Sequence, residues 1–234
     1  MSTDCEFSPS TPLTSADKSV TISYTLGDTV LTYEQELYME KYIEYIESTG
    51  SQYIKTGVKP ADISRIEFSF VTKLVDGNWR SVFYTELNSS PYNGMGLRVH
   101  TNKTLSFQYG ASVAAAPVTA VVGTKYNVDW RCKSNELILN EESYPLGPAG
   151  AMAGTELYLF ANNVAGSPAQ YGSIRLHHIK FYGLDDELIR DYRPCLDKTE
   201  VVCLKEKVSG TYVYNNGSGT FIAGPEKTVE EVEE

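Results

Sequence analysis

The chain has 234 residues, a formal net charge of -10 and 41% hydrophobic residues. That length holds one large all-β domain or a medium domain with a small one. The acidic balance and the lack of any Lys/Arg cluster exclude a nucleic-acid binder and argue against adsorption on anionic lipid. No apolar run is long enough to cross a membrane, so no membrane insertion is expected.

Met1–Phe7 lacks the basic and apolar regions of a signal peptide, which predicts folding in a cytoplasm. Ser8–Asp17 is polar and turn-rich. Val20–Tyr24 alternates, Leu26-Gly27-Asp28 turns, and Thr29–Leu37 runs on, which is a hairpin pattern. Tyr33–Ile46 fits either a strand or a short helix, because Leu37, Tyr38, Tyr42, Ile43 and Ile46 also share a helical face. Strand is favoured beyond Tyr42.

Two similar segments bracket the body. Tyr42–Gly57 reads as two short strands around a Ser48-Thr49-Gly50-Ser51 turn, and Gly210–Pro225 has the same character. Between them the sequence alternates. Ile66, Phe68, Phe70 and Leu74 share one face of a strand, with Arg65, Glu67, Ser69 and Lys73 on the other. Tyr126, Val128, Trp130 and Cys132 oppose Lys125, Asn127, Asp129 and Arg131. Each is an antiparallel strand with one buried side. Further strands are expected at 81–86, 94–100, 104–109, 135–140, 156–161, 173–182, 187–192 and 201–205. In the 173–182 segment the apolar phase slips between Leu176 and Ile179, and a β-bulge at His177-His178 accounts for it. Turn signals between the strands indicate a sandwich or jelly roll. The last nine residues, Glu226–Glu234, hold five Glu and one Lys and form an acidic, solvated tail.

No Cys-x-x-Cys pair exists and the three His complete no zinc pattern. Cys132 follows the apolar phase of its strand and is expected as a buried thiol. Cys195 and Cys203 are placed to face each other across a hairpin, with a disulfide the less favoured of two outcomes. Adjacent His177 and His178 point to opposite faces of a strand and share a site only through the bulge, so a surface or interface pair is the simpler reading. No Asp-x-Asp cluster supports calcium, and Gly217-Ser218-Gly219 is a turn rather than a phosphate loop, because no helix follows it. Retaining glycosidases place two carboxylates about 5–5.5 Å apart. No carboxylate motif of that kind occurs. Asp129 stands alone on its face, while Glu141-Glu142 and Asp185-Asp186-Glu187 read as solvated turns. No catalytic residue, metal ligand or cofactor is expected.

Sugars stack their C–H faces on aromatic rings while amides satisfy the hydroxyls. Trp79, Tyr84, Tyr92, Asn93, Asn162, Asn163 and Tyr171 lie on loops or polar faces and are the candidate glycan contacts. Trp130 is in phase with Val128 and is assigned to the core.

The segments 45–57, 157–163, 179–182, 188–195 and 210–225, taken in order, resemble concanavalin A-like (laminin-G-like) β-sandwich domains of bacteriophage and prophage structural proteins and of bacterial surface proteins. The resemblance spans residues 42 to 225. Pro12–Thr25 resembles the closing strands of bacterial immunoglobulin-like repeats, but far too little chain is present for a whole domain of that kind. An isolated hairpin is marginal in water, so this segment is expected to dock on the sandwich or to be completed by another chain. The resemblance implies an all-β protein in three parts: an immunoglobulin-like anchoring or strand-exchange fragment at 1–40, a concanavalin A-like antiparallel β-sandwich (jelly roll) at 41–225, and the acidic tail at 226–234. It further implies a non-enzymatic virion structural or adhesion subunit of a fibre, tail tip or capsid decoration. Such a subunit is expected to be a homo-oligomer that joins other virion subunits through residues 1–40 and binds host-surface glycan. The alternatives are a carbohydrate-binding module on a bacterial cell surface and, less favoured, a glycoside hydrolase.

Overall fold

The computed structural model describes residues 19–26, 29–36, 40–87, 93–110, 112–134, 136–146 and 154–227. The expectations for residues 1–18, for the Gly27-Asp28 turn, for Tyr92 and for the end of the acidic tail lie outside these. The chain forms two compact units, Met1–Lys41 with Lys227–Glu234, and Tyr42–Glu226.

In the first unit, Ser19–Leu26 and Thr29–Glu36 pair antiparallel from Ser19↔Glu36 to Leu26↔Thr29. Thus Tyr33–Glu36 is strand, not the start of a helix.

The second unit is two antiparallel sheets packed face to face, a β-sandwich. Sheet I runs, from one edge to the other, Ser112–Thr119, Thr104–Gly110, Gly94–Val99, Arg80–Glu86, Tyr158–Leu159 and Ile54–Lys55. Sheet II runs Glu142–Pro145, Glu136–Leu139, Lys125–Arg131, Ile63–Thr72, Ile174–Gly183, Leu188–Leu196, Val202–Glu206 and Thr211–Val213.

The core is the inner row of each alternating strand. Phe68 of sheet II lies in register with Val128 on one side and Ile179 on the other. Its ring meets Phe83 of sheet I edge-on at 5.0 Å between centroids. Phe83, Leu97 and Phe107 form the matching cross-strand row. Trp130, fully buried, closes on Phe107 at 5.6 Å. Burying a large apolar side chain contributes about 1.5–3 kcal/mol, and edge-to-face pairs add to it. Cys132 is buried and Trp130 is core, as their phase requires. Leu74 departs from expectation. The strand ends at Thr72, and Leu74 is exposed.

The register of Ile174–Gly183 against Ile63–Thr72 jumps from Leu176↔Phe70 to His178↔Ser69. His177 is the extra residue of the anticipated bulge, and Ile174, Leu176, Ile179 and Phe181 all reach the core because of it. The strand expected at 156–161 is only Tyr158–Leu159. Phe160 takes φ +65, the chain reverses there, and Asn162–Val164 runs parallel to Arg80–Glu86. The Ser112–Thr119 edge strand was not anticipated from sequence.

The two bracket segments turn out to be one structure. Ile46–Glu47 belongs to sheet II and Ile54–Lys55 to sheet I, so the intervening turn crosses the sandwich rather than closing a hairpin. The closing segment runs antiparallel along the whole crossing. Glu44 N–H donates to Pro225 O at 2.8 Å, and Gly224 N–H to Tyr45 O at 2.9 Å. Ile222–Ala223 pairs with Ile46–Glu47. Ser218 N–H then donates to Ser51 O, and Asn216 N–H to Tyr53 O. The Asn215 and Asn216 side-chain carbonyls accept from Tyr53 N–H and Lys55 N–H. Gln52 fills the middle, buried, accepting from Thr49 N–H and donating to Thr220 O. A Cβ on Gly217 would sit 2.2 Å from Ser51 O, which explains the glycine.

Candidate functional site

The outward face of sheet I carries polar rows in register. One is Ser81–Arg98–Ser106; the next is Tyr84–Gly96–Gln108, with Asn162 alongside Tyr84. Alternation sets most of this, since Phe83, Leu97 and Phe107 point into the core, and a register shift at Val82, between Ser81 and Phe83, brings Ser81 opposite Arg98 on the outward side. Gly94 and Gly96 lie on the same outward side and leave room for the Tyr84 ring. A Cβ on Gly96 would meet Phe83 O at 2.2 Å, and one on Gly94 would meet the Tyr84 hydroxyl at 2.5 Å.

Arg98 organises the face. Its guanidinium carbon lies 3.8 Å from the Tyr84 ring centroid and 4.1 Å from that of Trp79. Such contacts gain strength when the cation is desolvated, and Arg98 is buried. One terminal nitrogen donates to Gln108 Oε1 at 3.1 Å, the other to Gln170 Oε1 at 3.3 Å, with Glu86 Oε2 at 3.5 Å. Tyr84 also donates its hydroxyl to Gln108 Oε1, and Asn162 Nδ2 donates to Glu86 Oε1 at 2.7 Å. Burial holds the Arg98 pKa below its ordinary value despite the nearby Glu86 carboxylate, and burial pushes that of Tyr84 up. Arg98 Nε and Asn162 Oδ1 are buried without a hydrogen-bond partner among the described residues. Trp79 rests partly exposed on this base, with His100 edge-on at 4.1 Å between centroids.

Of the seven sequence candidates, Trp79, Tyr84 and Asn162 come together here. Tyr84 is wholly buried, so it supports the face rather than offering a platform. Asn163 is also buried and is held internally: its Nδ2 donates to Glu156 O and its Oδ1 accepts from Gly166 N–H. Tyr171 lies in a separate aromatic group with Tyr53 and Tyr158, and its carbonyl accepts from Arg80. Asn93 is partly exposed at the start of Gly94–Val99, its carbonyl accepting from Leu87 N–H. Tyr92 is outside the described residues. Arg98, Glu86, Gln108, Gln170 and His100 were missed. The available signal was Gly94-Met95-Gly96-Leu97-Arg98, where glycines alternate with apolar residues and mark a close approach on one face.

The outward face of sheet II is a lattice of ion pairs. Asp129 does not stand alone. It lies in register with Glu67, and Arg65 donates to both carboxylates, at 2.8 and 3.1 Å to the two Asp129 oxygens. Tyr182 donates to Glu67 at 2.6 Å, and the Arg65 guanidinium lies over its ring. A depression of about 400 Å³ opens beside this lattice, lined by Ser64, Arg65, Arg131, Lys133, Leu184 and Asp186. Burial, then Arg193, Lys180, Lys125 and His177, push His178 down to about 3. Among the described residues no group of three His, Cys, Asp or Glu is placed to hold a metal ion.

No protein-family model, no curated protein and no solved structure matches the chain. The class of protein is therefore defined by its own geometry: an all-β sandwich whose first sheet displays an aromatic residue on a buried, hydrogen-bonded arginine.

Proposed function

We propose that this is a non-enzymatic structural or adhesion subunit of a bacteriophage particle, whose sandwich binds host-surface glycan at Trp79. The observation that carries the binding part is the seating of Trp79. Its indole lies on the Arg98 guanidinium, which is itself fixed by Tyr84, Gln108 and Gln170. A platform held this way loses little rotamer freedom on binding, so stacking against a sugar ring costs little entropy. Glu86, Gln170 and His100, all partly exposed around it, are placed to meet hydroxyls. The particle assignment rests on the sequence resemblance of residues 42–225 and of the N-terminal segment, through which the subunit joins its neighbours. A symmetric oligomer would raise weak single-site affinity by avidity. The non-catalytic reading is supported by Arg65, which occupies both facing carboxylates of sheet II.

The purified full chain is tested on glycan arrays and on host cell-wall polysaccharide. Binding is expected, weakened at least about tenfold by Trp79→Ala, as for an aromatic anchor. If the chain and intact particles bind neither host cells nor their polysaccharides, the adhesion part fails and a structural role remains. Mass spectrometry of purified particles tests the location. Finding the chain only on bacterial surfaces would instead support a carbohydrate-binding module.

A further inference from the structure

On the outward side of sheet II, Leu188–Leu196 and Val202–Glu206 pair antiparallel with Cys195 directly opposite Cys203. The two sulfurs are 3.5 Å apart, both residues are fully buried, and no S–S bond joins them. Which kind of pair they form follows from their neighbours. Pro194 has no N–H to exchange with Leu204, whereas Asp197 N–H donates to Val201 O at 3.0 Å. Alternation then makes Cys195 and Cys203 a hydrogen-bonded pair, with Cα atoms about 5.5 Å apart. A disulfide spans about 4.4–6.8 Å between Cα atoms, so the backbone is already at bonding distance.

Alternation puts Cys195 on the side of Asp191 and Arg193, and Cys203 on that of Lys205, away from the core. Their burial therefore comes from cover over the outer face. Tyr214 contributes to it. Its hydroxyl donates to Asp197 Oδ2 at 2.9 Å, and it follows Val213, whose register partner is Leu204, so Tyr214, though itself 43% exposed, stands on the outward side next to Cys203. Asp197 is itself fixed by Val201 N–H and by the Thr199 N–H and hydroxyl.

We propose that Cys195 and Cys203 are a latent cross-strand disulfide that closes when the protein meets a peroxide, stapling the Leu188–Leu196 and Val202–Glu206 strands under Tyr214. One thiolate attacks the peroxide O–O bond, giving a sulfenic acid and water. The second thiol displaces the sulfenic oxygen, forming the S–S bond and a second water. Overall, two thiols and one hydrogen peroxide give one disulfide and two waters. A reducing compartment holds the pair open and an oxidising one closes it. The proposal stands independently of glycan binding.

The test treats the native full chain with dilute hydrogen peroxide, quenches it, and alkylates it in denaturant. Trypsin cuts after Arg190, Lys198 and Lys205, so the cysteines fall in different peptides, 191–198 and 199–205. Wild type is expected to yield these two peptides joined, with a loss of two hydrogens that dithiothreitol reverses. The melting temperature should rise by roughly 5–10 °C, from loop-closure entropy in a domain of this size. Cys203→Ser and Cys195→Ser should each abolish the joined species and the rise. Tyr214→Ala should form it several-fold faster; an unchanged rate would remove Tyr214 as the cover. Recovery of both cysteines alkylated, or of either as a sulfinic acid, after wild-type treatment would overturn the proposal.

Discussion

Gln52→Ala tests the clasp between the opening and closing segments. The amide is buried and makes three well-placed bonds. It accepts from Thr49 N–H at 2.9 Å and from Ser48 Oγ at 3.1 Å, and it donates to Thr220 O at 3.1 Å. The third bond ties the two ends of the domain together. A net value of about 1 kcal/mol per bond gives a loss of about 3 kcal/mol. In a domain of this size that lowers the melting temperature by roughly 6–12 °C. Urea unfolding followed by tryptophan fluorescence should show the midpoint fall with an unchanged slope. Ser51→Ala is the control. It removes one exposed bond to Ser218 O at 3.0 Å and should cost less than about 0.5 kcal/mol. If Gln52→Ala also costs less than about 0.5 kcal/mol, the buried amide does not hold the clasp and the reasoning is wrong.

Gly217→Ala should destabilise by roughly 2 kcal/mol or more in the same assay, because its Cβ would sit 2.2 Å from a backbone oxygen that cannot swing away. The folded pKa of His178, about 3, lies below its unfolded value of roughly 6.5. The unfolded chain therefore binds the extra proton between these values, and stability falls as pH drops through the window. Acidification from pH 7 to 5 should cost up to about 2 kcal/mol through this group. His178→Gln should flatten that slope, and parallel wild-type and variant curves would rule the effect out. Trp79→Ala should leave the unfolding midpoint nearly unchanged while weakening glycan binding, since Trp79 is partly exposed and lies outside the core. A large stability loss would make it a structural residue instead.

The fold class was largely legible. Period-two patterning over Arg65–Phe70 and Lys125–Cys132 marked strands with one apolar side, and the apolar row of each is buried, although Ser69 on the polar side of the first is buried as well. The His177 bulge was readable as a phase slip. The break at Phe160 was not, because nothing local in Leu157-Tyr158-Leu159-Phe160-Ala161 announces a left-handed aromatic residue. The outer-face cluster was half legible. Trp79, Tyr84 and Asn162 were nominated for their chemistry, but Arg98 looked like any charged residue on a solvent-facing position. Its burial depends on strands from three different parts of the chain.

The sequence alone determined which residues face inward, because alternation is a local consequence of pleated backbone geometry. It also marked the two segments Tyr42–Gly57 and Gly210–Pro225, each centred on a Gly- and Ser-containing turn, as a matched pair. The tertiary structure decided what they are for. Some 160 residues apart in sequence, they hydrogen-bond to each other along the seam where the chain crosses between sheets. Pairing partners depend on which backbone groups are left open once both sheets have formed, and local sequence carries no record of that.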